Sequence, residues 1–212
     1  MSKRKARKML RRMEGGEPVE VTSATASIRQ LARLAYIAEQ YGYEYADAWQ
    51  GGGPQGKGFV MRIVPDPDPQ ARARAARNRA RYPNAGEGGA LPPLMPDAVE
   101  LLRARITYDL AARYSEKQLR VIASVGFTAA SVGLCFELGA DATAVLIAGI
   151  AWVALMGLVH VLVVGNRRYR AKYAARLRAC GFTPVTDQSG RVRYAPPGRQ
   201  PPGHGDPFTS PA

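Results

Sequence analysis

Residues Ala142–Val164 read ATAVLIAGIAWVALMGLVHVLVV, 23 residues without a charge. A helix needs about 20 apolar residues to cross the hydrocarbon core of a bilayer, so this stretch alone decides the class of the chain. A second apolar run precedes it, from Leu119 to Leu138, interrupted near its start by Arg120. Between Val121 and Val164 the only charged residues are Glu137 and Asp141, and they bracket the short turn that joins the runs. The expected unit is a transmembrane helical hairpin, with spans at 119–138 and 142–164 and an extracytoplasmic turn at 139–141. A buried hairpin in a soluble protein would need the rest of the chain to wrap two helices that are apolar on every face. The remainder is too basic and too rich in Pro and Gly for that.

Working outward, charge sets the orientation. Arg113, Lys117 and Arg120 precede the first run, while Arg167, Arg168, Arg170 and Lys172 follow the second. Cations stay on the cytoplasmic side, which predicts a two-pass protein of the plasma membrane with both termini cytoplasmic. The 212 residues carry 30 Lys+Arg and 17 Asp+Glu, a net charge of +13. Setting aside Glu137 and Asp141 leaves 30 cations against 15 acids, +15, on one side of the bilayer. Met1–Met13 is basic but leads into no apolar segment, so no cleavable signal peptide is expected, and the first span serves as an internal insertion signal.

The segments flanking the hairpin read as a small cytoplasmic α+β domain. Ser27–Tyr41 has amphipathic helical spacing and ends at Gly42. Residues 43–49 alternate as a strand, and Phe59–Val64 is a second strand stopped by Pro65. The far end repeats this plan: a helix over 167–180 ends at Gly181, and two short strands flank the turn Asp187-Gln188-Ser189-Gly190. The expected arrangement is two α-β-β units, residues 23–68 and 165–195, that flank the spans and meet in one four-stranded antiparallel sheet. A lone hairpin is marginal in water, which favours such pairing. Between them lie an Arg-rich short helix at 69–82, a Pro/Gly linker at 83–95 and a juxtamembrane amphipathic helix at 96–118. Residues 1–22 are expected to be a basic segment, disordered or associated with a surface. The tail 196–212 has six prolines and is expected to be disordered.

No catalytic, cofactor-binding or metal-binding residue is expected, and no motif is specific enough to assign a family. Two Cys and two His make neither a disulfide framework nor a structural zinc site. Gly51, Gly56 and Lys57 fit the spacing of a phosphate-binding loop, but Gly58 stands where Ser or Thr should hold magnesium, and a strand follows where a helix should. The candidate contacts to anionic lipid or phosphate are Lys3, Arg4, Lys5, Arg7, Lys8, Arg11 and Arg12, together with Arg72, Arg74, Arg77, Arg79 and Arg81. Small residues at helical spacing, Ala123, Gly126, Ala130 and Gly133 on one span and Ala144, Ala148 and Ala151 on the other, are candidates for helix–helix packing. They would pack the two spans together or join two copies of the chain. The expected function is a non-enzymatic adaptor or assembly component. Its partners would be a membrane with anionic lipid, an unidentified cytoplasmic protein and a second copy of the chain. A membrane-tethered nucleic-acid-binding protein for DNA transfer or segregation is the alternative, with Tyr43, Tyr45, Trp49 and Phe59 as base-stacking residues. A subunit of an oligomeric transporter is a third reading, because two spans cannot enclose a pore.

Overall fold

The computed structural model describes residues 3–23, 27–51, 58–113, 116–137, 139, 141–187 and 190–197. The chain divides into two compact units, Met1–Leu110 with Arg176–Ala212, and Ala111–Ala175. In the first unit, helix α1 (Lys3–Met13) leads into strand β1 (Val19–Ser23), helix α2 (Ile28–Gln40) and the hairpin β2 (Tyr43–Gln50) and β3 (Phe59–Pro65). Helices α3 (Pro69–Arg81) and α4 (Pro96–Ala111) follow, with a short 3-10 turn at Ala85–Glu87 between them. Two further helices, α5 (Glu116–Glu137) and α6 (Ala142–Ala179), and a second hairpin, β4 (Thr183–Thr186) and β5 (Val192–Ala195), complete the chain.

Local chemistry sets the helix ends. Ser27 caps α2 by accepting from the Gln30 amide, and Gly42, at φ +84°, takes the left-handed position after it. Asp68 caps α3 in the same way through Gln70, with Pro69 at the first turn. The Pro65–Pro69 run is a stiff turn: the Asp66 carboxylate accepts from the Asp68 amide, and Asp66 is buried.

The sheet is three-stranded and antiparallel, in the order β1-β3-β2. Val19, Val21, Tyr43, Tyr45, Met61 and Ile63 pack into one core with Leu31, Leu34 and Ile37 of α2. Helix α4 closes this core with Val99, Leu102 and Ile106, so its apolar stripe faces protein.

Three expectations change here. Residues 1–22 are ordered over 3–22: α1 buries Ala6, Met9, Leu10 and Met13, and β1 is an edge strand of the sheet. Among the described residues the four-stranded sheet does not form, because β1 takes the place beside β3 and β4 and β5 pair with each other in a separate two-stranded sheet. Strand β2 carries a bulge between Tyr45 and Asp47 that skips Ala46, and Pro184 in β4 has no N–H to give a ladder. The helix expected at 167–180 is no separate element, since α6 runs unbroken through Gly165 and Asn166 to Ala179.

Two helical stretches are long and apolar enough to cross a membrane: Arg120–Glu137, within the second unit, and Val145–Ala179, which runs four residues past its end. Helix α5 turns Ser124, Phe127, Ser131 and Cys135 partly inward. Trp152 Nε1 donates to Thr128 Oγ1 at 3.1 Å, and Ser124 Oγ lies 4.0 Å from Met156 Sδ. Between Val121 and Val164 much of the surface is apolar and open: Val121, Val125, Phe136, Ile150, Val153 and Leu162 are each more than 60% exposed.

Candidate functional site

Helix α1 holds seven cations in eleven residues and no acid. Because Ala6, Met9, Leu10 and Met13 point into the core, the charges are forced onto the opposite face. Arg4, Lys8, Arg11 and Arg12 are exposed, and with Arg7 they line a concavity of about 380 Å³. Arg7 lies half-buried against Gly88, whose φ is +107°; a Cβ at Gly88 would collide with the Arg7 guanidinium. Its Nε is buried without a hydrogen-bond partner among the described residues. Lys5 donates to Gln30 and Arg12 to the Glu20 carbonyl. The side chain of Lys3 lies outside the described ones.

The five arginines of α3 behave differently. Arg74 Nε donates to the Glu39 carbonyl at 3.1 Å, Arg79 to the Tyr41 carbonyl at 3.4 Å and Arg72 to the Pro67 carbonyl at 3.5 Å. Arg81 sits over the Tyr82 ring, 5.8 Å from its centre. Asn78 adds a bond to the Gln40 carbonyl, so the helix fastens itself to the end of α2. Arg77 alone of the five is exposed and uncommitted among the described residues. The two basic clusters therefore divide, with α3 used largely for packing and α1 largely free.

A second charged constellation joins parts of the chain far apart in sequence. Asp109 of α4 is 1% exposed; its Oδ2 accepts from the Tyr45 hydroxyl at 2.8 Å and from Arg193 at 3.2 Å. Arg193 also reaches Asp47 at 3.4 Å and the carbonyl of Ala46, the residue skipped at the β2 bulge. Arg191 bridges Asp47 at 3.0 Å and Asp187 at 3.3 Å. Tyr194 packs edge-on against Tyr108, with ring centres 4.9 Å apart, and accepts from Arg178. The hairpin β4–β5 is thus held to β2 and α4 by side chains.

Electrostatics follow from burial. Desolvation raises the Tyr45 pKa well above its ordinary value, and the neighbouring Asp109 charge adds to this. Burial works against the Arg193 charge, but Asp109 and Asp47 outweigh it and its pKa is raised. Arg193 therefore stays charged and Tyr45 stays neutral near pH 7. Asp109 Oδ1 is buried without a hydrogen-bond partner among the described residues.

Sequence reasoning missed this cluster. Its one local signal is Asp109 on the stripe Leu102–Ile106, an acid where the spacing calls for an apolar residue. Tyr43 and Tyr45, offered as base-stacking residues, are buried instead; Tyr43 donates to the Met13 carbonyl at 2.7 Å. The loop with phosphate-binding spacing joins two antiparallel strands, so Lys57 opens no helix; residues 52–57 lie outside the described ones.

The small-residue stripes also divide. Gly126, Ala130 and Gly133 are exposed, and a Cβ at either glycine would meet nothing within 4 Å. The α5 side chains that reach α6 are Ser124 and Thr128, at Met156 and Trp152, and Ala123 of the stripe is half-buried. On α6, Ala148 is buried and Ala151 half-buried, on the contact face with Trp152. The side chain of Ala144 lies outside the described ones.

Compared with family models, curated proteins and solved structures, the chain finds no match in any of the three.

Proposed function

We propose that this chain is a two-pass integral membrane protein of the plasma membrane. In this reading the segments before and after the spans close on one another into a basic cytoplasmic α+β domain, and the protein is an adaptor or assembly component rather than an enzyme. One observation carries the reading. Residues before the apolar hairpin and residues after it belong to the same compact unit, while the apolar windows of the hairpin are 0% and 11% buried. A core helix of a soluble protein would be mostly covered, and an open apolar surface of this extent belongs in lipid or against a partner. A domain assembled from both flanks also requires both to emerge on one side of the bilayer. An even number of spans supplies that, and the flanking cations favour the cytoplasmic side.

Direct lipid contact by the spans predicts resistance to alkaline carbonate: washed membranes retain the chain, and detergent releases it. Release by carbonate alone would sink the membrane reading. The adaptor role is tested by crosslinking the domain in cells. Recovery of one recurrent cytoplasmic protein supports it; recovery of nucleic acid in its place would favour the tethered nucleic-acid binder. Buried Tyr43 and Tyr45 weaken that alternative, since stacked bases need exposed rings.

A further inference from the structure

We propose that the solvent face of α1 docks on anionic lipid headgroups, held by charge alone without insertion, an inference that rests on the two-pass reading. An interfacial amphipathic helix sinks its apolar side into the acyl boundary. Here that side is already used, because Ala6, Met9, Leu10 and Met13 are at most 6% exposed in the domain core. What α1 offers outward is Arg4, Lys8 and Arg11, with no hydrogen bond or ion pair to any described residue, beside Arg7 and Arg12 in an open concavity.

The helix is also electrostatically frustrated. No acid lies in its first turn, and Arg4 and Lys5 sit where the helix dipole is positive. Neighbouring like charges three and four residues apart repel. Phosphate oxygens in the concavity would relieve both effects. The arginines of α3 are largely committed to the domain's own carbonyls, so α1 is the surface with charge to spare. Lipid is the favoured source of phosphate because two spans hold the module beside a leaflet, at the effective concentration of a tethered ligand. Of the four aromatics near the β2–β3 hairpin, Tyr43 and Tyr45 are buried and Trp49 and Phe59 half-buried, which disfavours base stacking.

The test uses the full chain in nanodiscs. With Cys135→Ser and Cys180→Ser, a donor dye is placed at Glu14→Cys, beyond the end of α1, and an acceptor is placed on the headgroups. Energy transfer should be higher in discs of phosphatidylcholine with phosphatidylserine than in phosphatidylcholine alone. It should fall toward the neutral-disc value when salt is raised from about 0.1 M to about 1 M, which cuts the screening length from about 10 Å to about 3 Å. Replacing Arg4, Lys8 and Arg11 with Gln, all exposed and outside the core, should weaken docking about a hundredfold, at about fivefold per cation. Equal transfer in both disc types, or a triple variant that docks like the parent, would overturn the proposal while leaving the two-pass reading intact. A short DNA duplex that draws the dye off phosphatidylserine discs at lower concentration than soluble phosphatidylserine would also overturn it, in favour of nucleic acid. A chain that fails to co-elute with discs would overturn both readings.

Discussion

Replacing Arg193 with Ala should be among the most damaging single changes in the first unit. The residue is one of two groups bonded to the Asp109 carboxylate, which is 1% exposed. Without it, the carboxylate keeps the Tyr45 hydroxyl and faces no cation at bonding distance among the described residues. Breaking a buried pair from one side costs about 3–5 kcal/mol, because a desolvated charge is left behind. Arg193 and Asp47 retain 20% and 23% of their side-chain exposure, so water screens part of the loss. The lower end, about 3 kcal/mol, is therefore expected, and it raises the opening equilibrium about a hundredfold. Amide hydrogen exchange in β2, α4 and β5 of the detergent-solubilised chain reads this directly. A cycle with Asp109→Asn isolates the pair: the double variant should lose at least 1.5 kcal/mol less than the two single losses combined, roughly. Losses that add within about 0.5 kcal/mol, or an Arg193→Ala variant as protected as the parent, would refute the clamp.

The remaining expectations follow from the same contacts. The raised Tyr45 pKa means the folded state holds the phenol proton more tightly than the unfolded chain does. Its contribution is therefore full below the ordinary value of 10.0 and is lost as pH rises toward the folded value. Denaturant titrations of the first unit should thus be level from neutral pH to about 9 and fall above about 10, with a shallower fall in Tyr45→Phe. Leu10→Ala should cost about 2–3 kcal/mol in the same titration, since Leu10 is 6% exposed; no loss would mean that α1 is not part of the core. Gly126→Leu and Gly133→Leu should leave Trp152 emission unchanged, because a Cβ at either position meets nothing within 4 Å and both positions are exposed. A shift would place that stripe against α6.

Much of the architecture was legible locally. The two charge-free runs announce two long helices, and alternation with punctuation at Gly42 and Pro65 announces α2, β2 and β3. What escaped did so for identifiable reasons. In α1, seven cations mask a buried stripe at positions 6, 9, 10 and 13, although its helical spacing is plain once charge is set aside. In β1, Val19 and Val21 alternate with Glu20 and Thr22 over only five residues, too few to stand out beside a basic segment. The α6 helix passes through Gly165 and Asn166, a local stop signal outweighed by continued packing and by the Asn166 bond to the Ala111 carbonyl. The Asp109–Arg193 pairing spans 84 positions, and no local pattern encodes a contact at that distance. Of the candidate interface, the identity of the cations was readable in sequence. Which were free and which were spent on neighbouring carbonyls depended on the fold.

The central claim is that the two flanks share one side of a membrane and the turn between the spans lies on the other. Single cysteines at three exposed positions can be probed in turn with a membrane-impermeant thiol reagent on intact cells: the native Cys180 in a Cys135→Ser chain, and Glu14→Cys or Glu137→Cys in a chain with both Cys135→Ser and Cys180→Ser. The account predicts immediate labelling at 137, and labelling at 14 and 180 only after the membrane is permeabilised. Labelling of 14 and 180 on opposite sides, or equal labelling of all three before permeabilisation, would contradict it.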